Sequence, residues 1–297
     1  MYAINLRLAT ALFILALAAL PSVARQTVDE TRAVDEDATI SIETLAGKVV
    51  VTGWDRDEVH ITGTLDAKAE ELEIDGGGSR LSIEVKYPDR VKEVDGSELE
   101  IKVPRDASVE LSTVSADVSI EAVRGELDVE TVSGEVTLRG EPREIEVETV
   151  SGNLDLDVET ETAAVACVSG DITVRGVRRE LECAVVSGDI EVQAGREMIS
   201  LECETVSGDI TVTGELPEKA DWSLAAHSGD IVLEIQGEVN AEFDIESFSG
   251  EIHDVFGHSA ERTSKYTPGS ELSCEVGKGS AKVEIEAFSG DVRVRQK

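Results

Sequence analysis

The chain has 297 residues, 41% of them hydrophobic but only 3% aromatic, so small and branched aliphatic side chains must fill its core. That suits a narrow interior of stacked Val, Ile and Leu better than a broad globular one. Acidic residues outnumber basic ones 62 to 27, a formal charge of −35, which argues against nucleic acid and anionic lipid headgroups as partners and leaves divalent cations and basic proteins.

The N-terminus reads as a secretory signal peptide covering residues 1–24. Arg7 precedes the apolar run Leu8 to Leu20, and Pro21-Ser22-Val23-Ala24 supplies small residues at the cleavage site. The run is too short to span a bilayer comfortably. Cleavage is expected after Ala24, with no Cys there to carry a lipid anchor. No transmembrane segment is expected after cleavage, so the mature chain should be exported to the periplasm, the extracellular space or the cell surface of a bacterium.

Residues 25–107 hold strand-like pieces (Val59 to Leu65, Leu81 to Val85, Leu99 to Val103) broken by Gly76-Gly77-Gly78 and Pro88. They read as atypical N-terminal rungs that cap a repeat.

Residues 108–252 carry that repeat. Thr131-Val132-Ser133-Gly134, Thr149-Val150-Ser151-Gly152, Cys167-Val168-Ser169-Gly170 and Val185-Val186-Ser187-Gly188 recur every 18 residues, preceded at the same interval by Thr113-Val114-Ser115-Ala116. Thr205-Val206-Ser207-Gly208 follows after 20 residues, then His227-Ser228-Gly229, Phe248-Ser249-Gly250 and Phe288-Ser289-Gly290 at 21, 21 and 40. Thr44-Leu45-Ala46-Gly47, followed by Val49, Val51 and Gly53, is an early echo in the same register. Self-similarity of this kind marks a repeat architecture.

Apolar positions alternate on both flanks of each turn. Ile145 and Val147 flank Glu146 before Ser151; Leu154 and Leu156 flank Asp155 after it. Period two means two strands, each with one buried and one solvated face. The apolar residue just before Ser breaks this pattern, which predicts a bend or bulge there. The following Gly permits positive φ, and the next Asp or Asn can bond local amides. One phase in every rung favours parallel stacking of like over like, about 4.8 Å apart. The predicted fold is all-β: a single-stranded parallel β-helix, or β-solenoid, with rungs of about 18–21 residues, right-handed by the usual crossover preference. Residues 253–270 read as an insertion loop and 271–297 as terminal rungs.

The Val-Ser-Gly-Asp-Ile-x-Val repeat resembles the bacterial domain family labelled "putative adhesin". So do Ile101-Lys102-Val103-Pro104 ahead of it, and Val276-Gly277-Lys278-Gly279-Ser280-Ala281 before Phe288-Ser289-Gly290-Asp291-Val292. The resemblance spans most of the mature chain. It implies a β-solenoid of largely unassigned molecular role and brings no catalytic residues.

Each candidate chemistry has a structural counterpart. Nine turn serines (Ser115, Ser133, Ser151, Ser169, Ser187, Ser207, Ser228, Ser249 and Ser289) cannot all be nucleophiles, since a nucleophile is needed once, beside a base. These serines and the glycines after them (Gly134, Gly152, Gly170, Gly188, Gly208, Gly229, Gly250, Gly290) read as structural turns. Glu135, Asp171, Asp189, Asp209, Asp230, Glu251 and Asp291, with Asn153, share the next position and would stack as a ladder of like charges. Local amides would absorb that charge, or calcium would, held weakly by Glu135, Asp171, Asp189, Asp209, Asp230 and Asp291. No other cofactor is expected. A second set of acids precedes the turn (Asp128, Glu146, Glu182 and Glu202; Glu130, Glu148 and Glu204), as a solvated face or a stripe for a basic partner or cation.

Of the cysteines Cys167, Cys183, Cys203 and Cys274, Cys183 and Cys203 occupy the inward position of consecutive rungs. They are either buried thiols or a disulfide of uncertain geometry. Glu251, His253, Asp254 and His258 cluster in the insertion, as a solvated loop or a metal site. Trp54 and Trp222 read as packing or rim residues.

Three functions are consistent with these features. The leading one is a non-catalytic envelope scaffold whose acidic surface binds or adheres to an envelope protein or glycan. The second is a module that self-assembles by end stacking, since the chain finishes on a strand at Val294 with almost nothing beyond it. The third is a carbohydrate-active β-helix enzyme, which needs convergent carboxylates.

Overall fold

A computed structural model of the chain describes residues 26–88, 90, 91, 93–254, 256–262 and 269–297. The expected signal segment, Met1 to Ala24, lies outside them, as do residues 255 and 263–268 of the expected insertion. Among the described residues every regular element is a β-strand.

The alternation in the sequence sets the strands. Ile145, Val147 and Thr149 of Glu144–Ser151 are buried, while Glu146, Glu148 and Val150 are exposed. Past the turn, Leu154, Leu156 and Val158 are buried again. Each pass of the chain thus lays one strand before the turn and one after it, and burying each Val, Leu or Ile side chain contributes about 1.5–3 kcal/mol.

Like stacks on like. In the column before the turn, Val109, Leu127, Ile145, Ala163, Leu181, Leu201, Trp222 and Val283 are successive register partners in parallel strands. In the column after it, Val118, Val136, Leu154, Ile172, Ile190, Ile210, Ile231 and Val292 do the same. The early echo is such a rung: Thr44 pairs with Thr113, Val49 with Val118 and Val51 with Ile120.

The turn needs glycine for two reasons. Gly152 has φ +145°, and a Cβ there would lie 1.9 Å from the carbonyl oxygen of Gly134 in the neighbouring rung. Its own amide donates to the Ser169 carbonyl on the other side, 3.0 Å away. The glycines therefore let successive corners close on one another.

The residue before Ser does not break the alternation, contrary to the sequence reading. Thr131 turns inward and is buried, while Val132 continues the pattern outward and is 47% exposed. The polar residue is inside and the apolar one outside, so composition disguised a period of two that runs to Ser133; the chain bends one residue later than expected, at Ser133-Gly134, and Val136 is the next buried residue.

Both ends of the stack double back. The rung built from Thr39 to Trp54 lies between Ser108–Glu121 on one side and strands Glu71–Lys86 and Ser97–Pro104 on the other. Thr27 to Ala33 pair antiparallel with Glu58–Thr64. At the far end Ser270–Val276 runs antiparallel to Ala241–Ser249. The chain then hooks through Gly277 and Gly279, both at positive φ, with the amide of Lys278 held by Asn240 Oδ1 and that of Ser280 by its carbonyl. The last rung consequently slots between its predecessors: Ser289 pairs with Ser228 on one side and Ser249 on the other. Val292–Gln296 is likewise flanked by Ile231–Gln236 and Ile252–Asp254. The expected uncapped edge at Val294 is thus absent; that residue is 1% exposed inside the stack, and it offers no surface for end-to-end contact.

Candidate functional site

The turn acids form the ladder the spacing implies, and backbone amides occupy it. The amide of Glu135 donates to Asp117 Oδ1 (3.1 Å), Asp171 to Asn153 (3.1 Å), Asp189 to Asp171 (3.0 Å) and Asp209 to Asp189 (2.8 Å). Asp230 donates to Asp209 (2.7 Å), Asp291 to Asp230 (2.9 Å) and Glu251 to Asp291 (3.0 Å). The side chains of Asp117, Asn153, Asp171, Asp189, Asp209, Asp230 and Asp291 therefore each fasten the next rung through one oxygen, an interaction between rungs rather than within a turn. Charged acceptors make such bonds stronger than neutral ones. The Asp230 carboxyl is held below its ordinary range by a hydrogen bond from Arg293 and then by the Asp291 amide. Among the described residues no group of three or more His, Cys, Asp or Glu side chains converges as a metal site would require.

The two outer faces differ in how their charge is balanced. Beyond the turn, Arg139 reaches Asp155 (2.6 Å), Arg175 reaches the same carboxylate (3.4 Å), Arg293 reaches Asp230 (2.7 Å) and Asp291 (2.8 Å), and Lys297 reaches Glu234 (2.9 Å). Before the turn, Glu130, Glu148, Glu204 and Glu286 are exposed in one register column, Glu130 and Glu148 on neighbouring rungs and the others separated by rungs that carry Ala166, Ala184 and Ala225. None of these four makes an ion pair among the described residues. The cations of that face sit toward its margin, as in Arg143–Glu126 (2.8 Å) and Lys282–Glu284 (3.0 Å).

Beside this acidic column runs a row that sequence reasoning missed. Val114, Val132, Val150, Val168, Val186 and Val206 are each 47–50% exposed. The row continues through His227, Phe288 and Phe248, whose rings stack with centroids 4.6 and 4.8 Å apart. A counted alternation from Leu127 through Val129 and Thr131 would have placed Val132 outside. Between the row and the acids lies an open groove of about 870 Å³ that runs from Ser112 to Phe288. Its acidic wall is interrupted by Ala166, Ala184 and Ala225, which expose apolar floor in mid-groove. Thr113 and Thr149 also line it, with hydroxyls that have no hydrogen-bond partner.

The remaining candidates are structural. Cys183 and Cys203 are register partners, fully buried free thiols; a hydrogen bond from the Cys203 S–H to Cys183, and then burial, push the Cys203 thiol well up. Cys167 and Cys274 are also buried and free. His253 lies 3.7 Å from Glu251 and 4.0 Å from Asp291, within the charged face beyond the turn. Trp222 is buried with its indole N–H donating to the Met198 carbonyl (3.1 Å), and Trp54 donates to the Glu58 carbonyl (2.8 Å) with Arg56 over its ring.

The geometry defines a repeat-built all-β protein with one long face that is both acidic and apolar. The chain belongs to the Toastrack DUF4097 family, whose model matches residues 38–223. Among solved structures it is similar to a "putative adhesin" from Bacteroides fragilis at 13% identity, covering 92% of this chain and 98% of that one with a TM-score of 0.49. It is also similar to a "putative adhesin" from Parabacteroides distasonis at 12% identity, covering 91% and 97% with a TM-score of 0.37. A "putative cell adhesion protein" from Clostridium sporogenes matches at 11% identity, covering 92% and 100% with a TM-score of 0.24. No curated protein matches the chain. No helix among the described residues is long and apolar enough to cross a membrane.

Proposed function

We propose that the chain is a non-catalytic, exported bacterial envelope protein: a right-handed, single-stranded parallel β-solenoid that presents an acidic face for binding or adhesion to an envelope protein or glycan. In this reading the segment to Ala24 directs export and is removed, the rungs of residues 108–252 with the inserted rung at Ala281–Ser289 carry the binding face, and the remaining chain closes the stack.

The observation that carries the reading is the unequal charge balance of the two faces. Glu130, Glu148, Glu204 and Glu286 stand in one column without cationic partners, whereas Arg139, Arg175 and Arg293 neutralise acids on the other face. Glu130 and Glu148 are direct register partners, and like charges so placed cost stability, which a partner of opposite charge would recover. An enzyme gathers its reactive groups at one place; here the acids are distributed rung by rung, as in an extended recognition surface.

The test is binding of the fluorescently labelled mature chain, from Arg25 onward, to bacterial envelope fractions. Saturable binding that weakens with added salt is expected. Binding that never saturates, or none at all, contradicts the reading.

A further inference from the structure

We infer that the groove between the valine row and the acidic column is a docking site for an extended segment of another protein in which basic and apolar residues alternate. This inference rests on the binding reading above and names its site and the chemistry of its partner.

The two walls call for different chemistry. One is formed by Val132, Val150, Val168, Val186 and Val206, about half exposed and stacked one per rung. The opposite wall carries Glu130, Glu148, Glu204 and Glu286, with no ion-pair partner upon them among the described residues. A contiguous apolar row of this length on a soluble surface marks an interaction site. An extended chain running along the groove points successive side chains to opposite sides, so alternating apolar and basic residues meet the valines and the glutamates. At about 4.8 Å per rung the groove is roughly 34 Å long, room for about ten residues of extended chain. The apolar floor at Ala166 and Ala184 leaves space for the backbone of such a segment.

Charge selects among occupants. A second copy would bring its own glutamates against these, and an anionic bilayer or a nucleic acid would be repelled by them. A basic segment gains from both walls, and its flanking cations find the aromatic edge formed by His227, Phe288 and Phe248 at the end of the row.

The experiment titrates the mature chain into a labelled decapeptide of alternating Lys and Val, read by fluorescence anisotropy. Decapeptides alternating Lys with Ser, and Glu with Val, serve as comparisons. The Lys-Val peptide should bind at least about tenfold tighter than the Lys-Ser peptide, and V150T/V168T/V186T should remove that preference while leaving the thermal unfolding temperature close to that of the parent. If the Lys-Val and Lys-Ser peptides bind alike, or the triple variant changes nothing, the groove proposal is overturned although the acidic-face reading survives. Absence of binding by every peptide overturns it too. So does dimerisation or vesicle co-sedimentation that the same triple variant abolishes, since the occupant would then be a second copy or a lipid surface. Loss of envelope binding by the parent chain would instead contradict the broader reading.

Discussion

The amide of Asp209 donates to Asp189 Oδ1 at 2.8 Å, one rung away. The same bond runs from Asp171 to Asn153, so an amide side chain already serves at one step of the ladder. The bond requires the oxygen, not the charge. Asp189→Asn should therefore stay within about 0.5 kcal/mol of the parent in urea unfolding, because the acceptor persists and a like charge is removed. Asp189→Ala should cost about 1 kcal/mol or more by leaving the Asp209 amide without that acceptor.

With one oxygen of Asp171, Asp189, Asp209, Asp230 and Asp291 taken by an amide, the turn-capped ladder needs no metal. The melting temperature should be the same in millimolar calcium and in chelator. A rise with calcium would assign the second oxygens of Asp171, Asp189 and Asp209 to the ion.

The column of Glu130, Glu148, Glu204 and Glu286 predicts a response to salt. Glu130 and Glu148 stand on neighbouring rungs, as do Asp128 and Glu146, and Glu182 and Glu202; screening weakens repulsion within such pairs, so the melting temperature should rise between low salt and about 0.3 M sodium chloride. Indifference to salt would mean that the columns exert little strain on the stack.

Gly152 and Gly237 separate two demands on glycine. Both have positive φ, +145° and +83°, but only Gly152 would press a Cβ against backbone; a Cβ at Gly237 would meet nothing within 4 Å. Gly152→Ala should lose about 3 kcal/mol or more in chemical unfolding, and Gly237→Ala about 1 kcal/mol.

Asp66 gives a pH signature near the start of the stack. Burial would raise its pKa, but the amides of Lys68, Gly96 and Asp95, with the charge of Lys68, hold the carboxyl below its ordinary value of 3.8. Its folded pKa therefore lies below the unfolded one, so its contribution is complete above the unfolded value and is lost as pH falls through the folded value. Asp66→Asn should be less stable by about 1–3 kcal/mol at pH 7. The difference should narrow in acid, as followed by urea unfolding across pH 7 to 3.

The rungs were legible because Ser, Gly and alternating aliphatics repeat with a fixed phase, and that phase survives into the register of Leu127 with Ile145 and of Val136 with Leu154. The order of the last rungs was not legible. Every rung offers the same pattern, so Ser289 fits above Ser228 as well as above Ser249, and only the 40-residue gap before Ser289 hints at a detour. The valine row was hidden by an exchange of character: Thr131 is polar but buried, Val132 apolar but exposed. The ladder position was readable, yet its bonds between rungs follow from stacking and not from any one turn.

The central claim is that the face before the turn, and not total charge, engages the partner. Two charge-matched variants test it in the envelope-binding assay: E130Q/E148Q/E204Q on that face, and E121Q/E135Q/E191Q beyond the turn. The first should weaken binding by about tenfold or more, and the second should leave it within about twofold. Equal losses from both sets, or none from the first, would contradict the account.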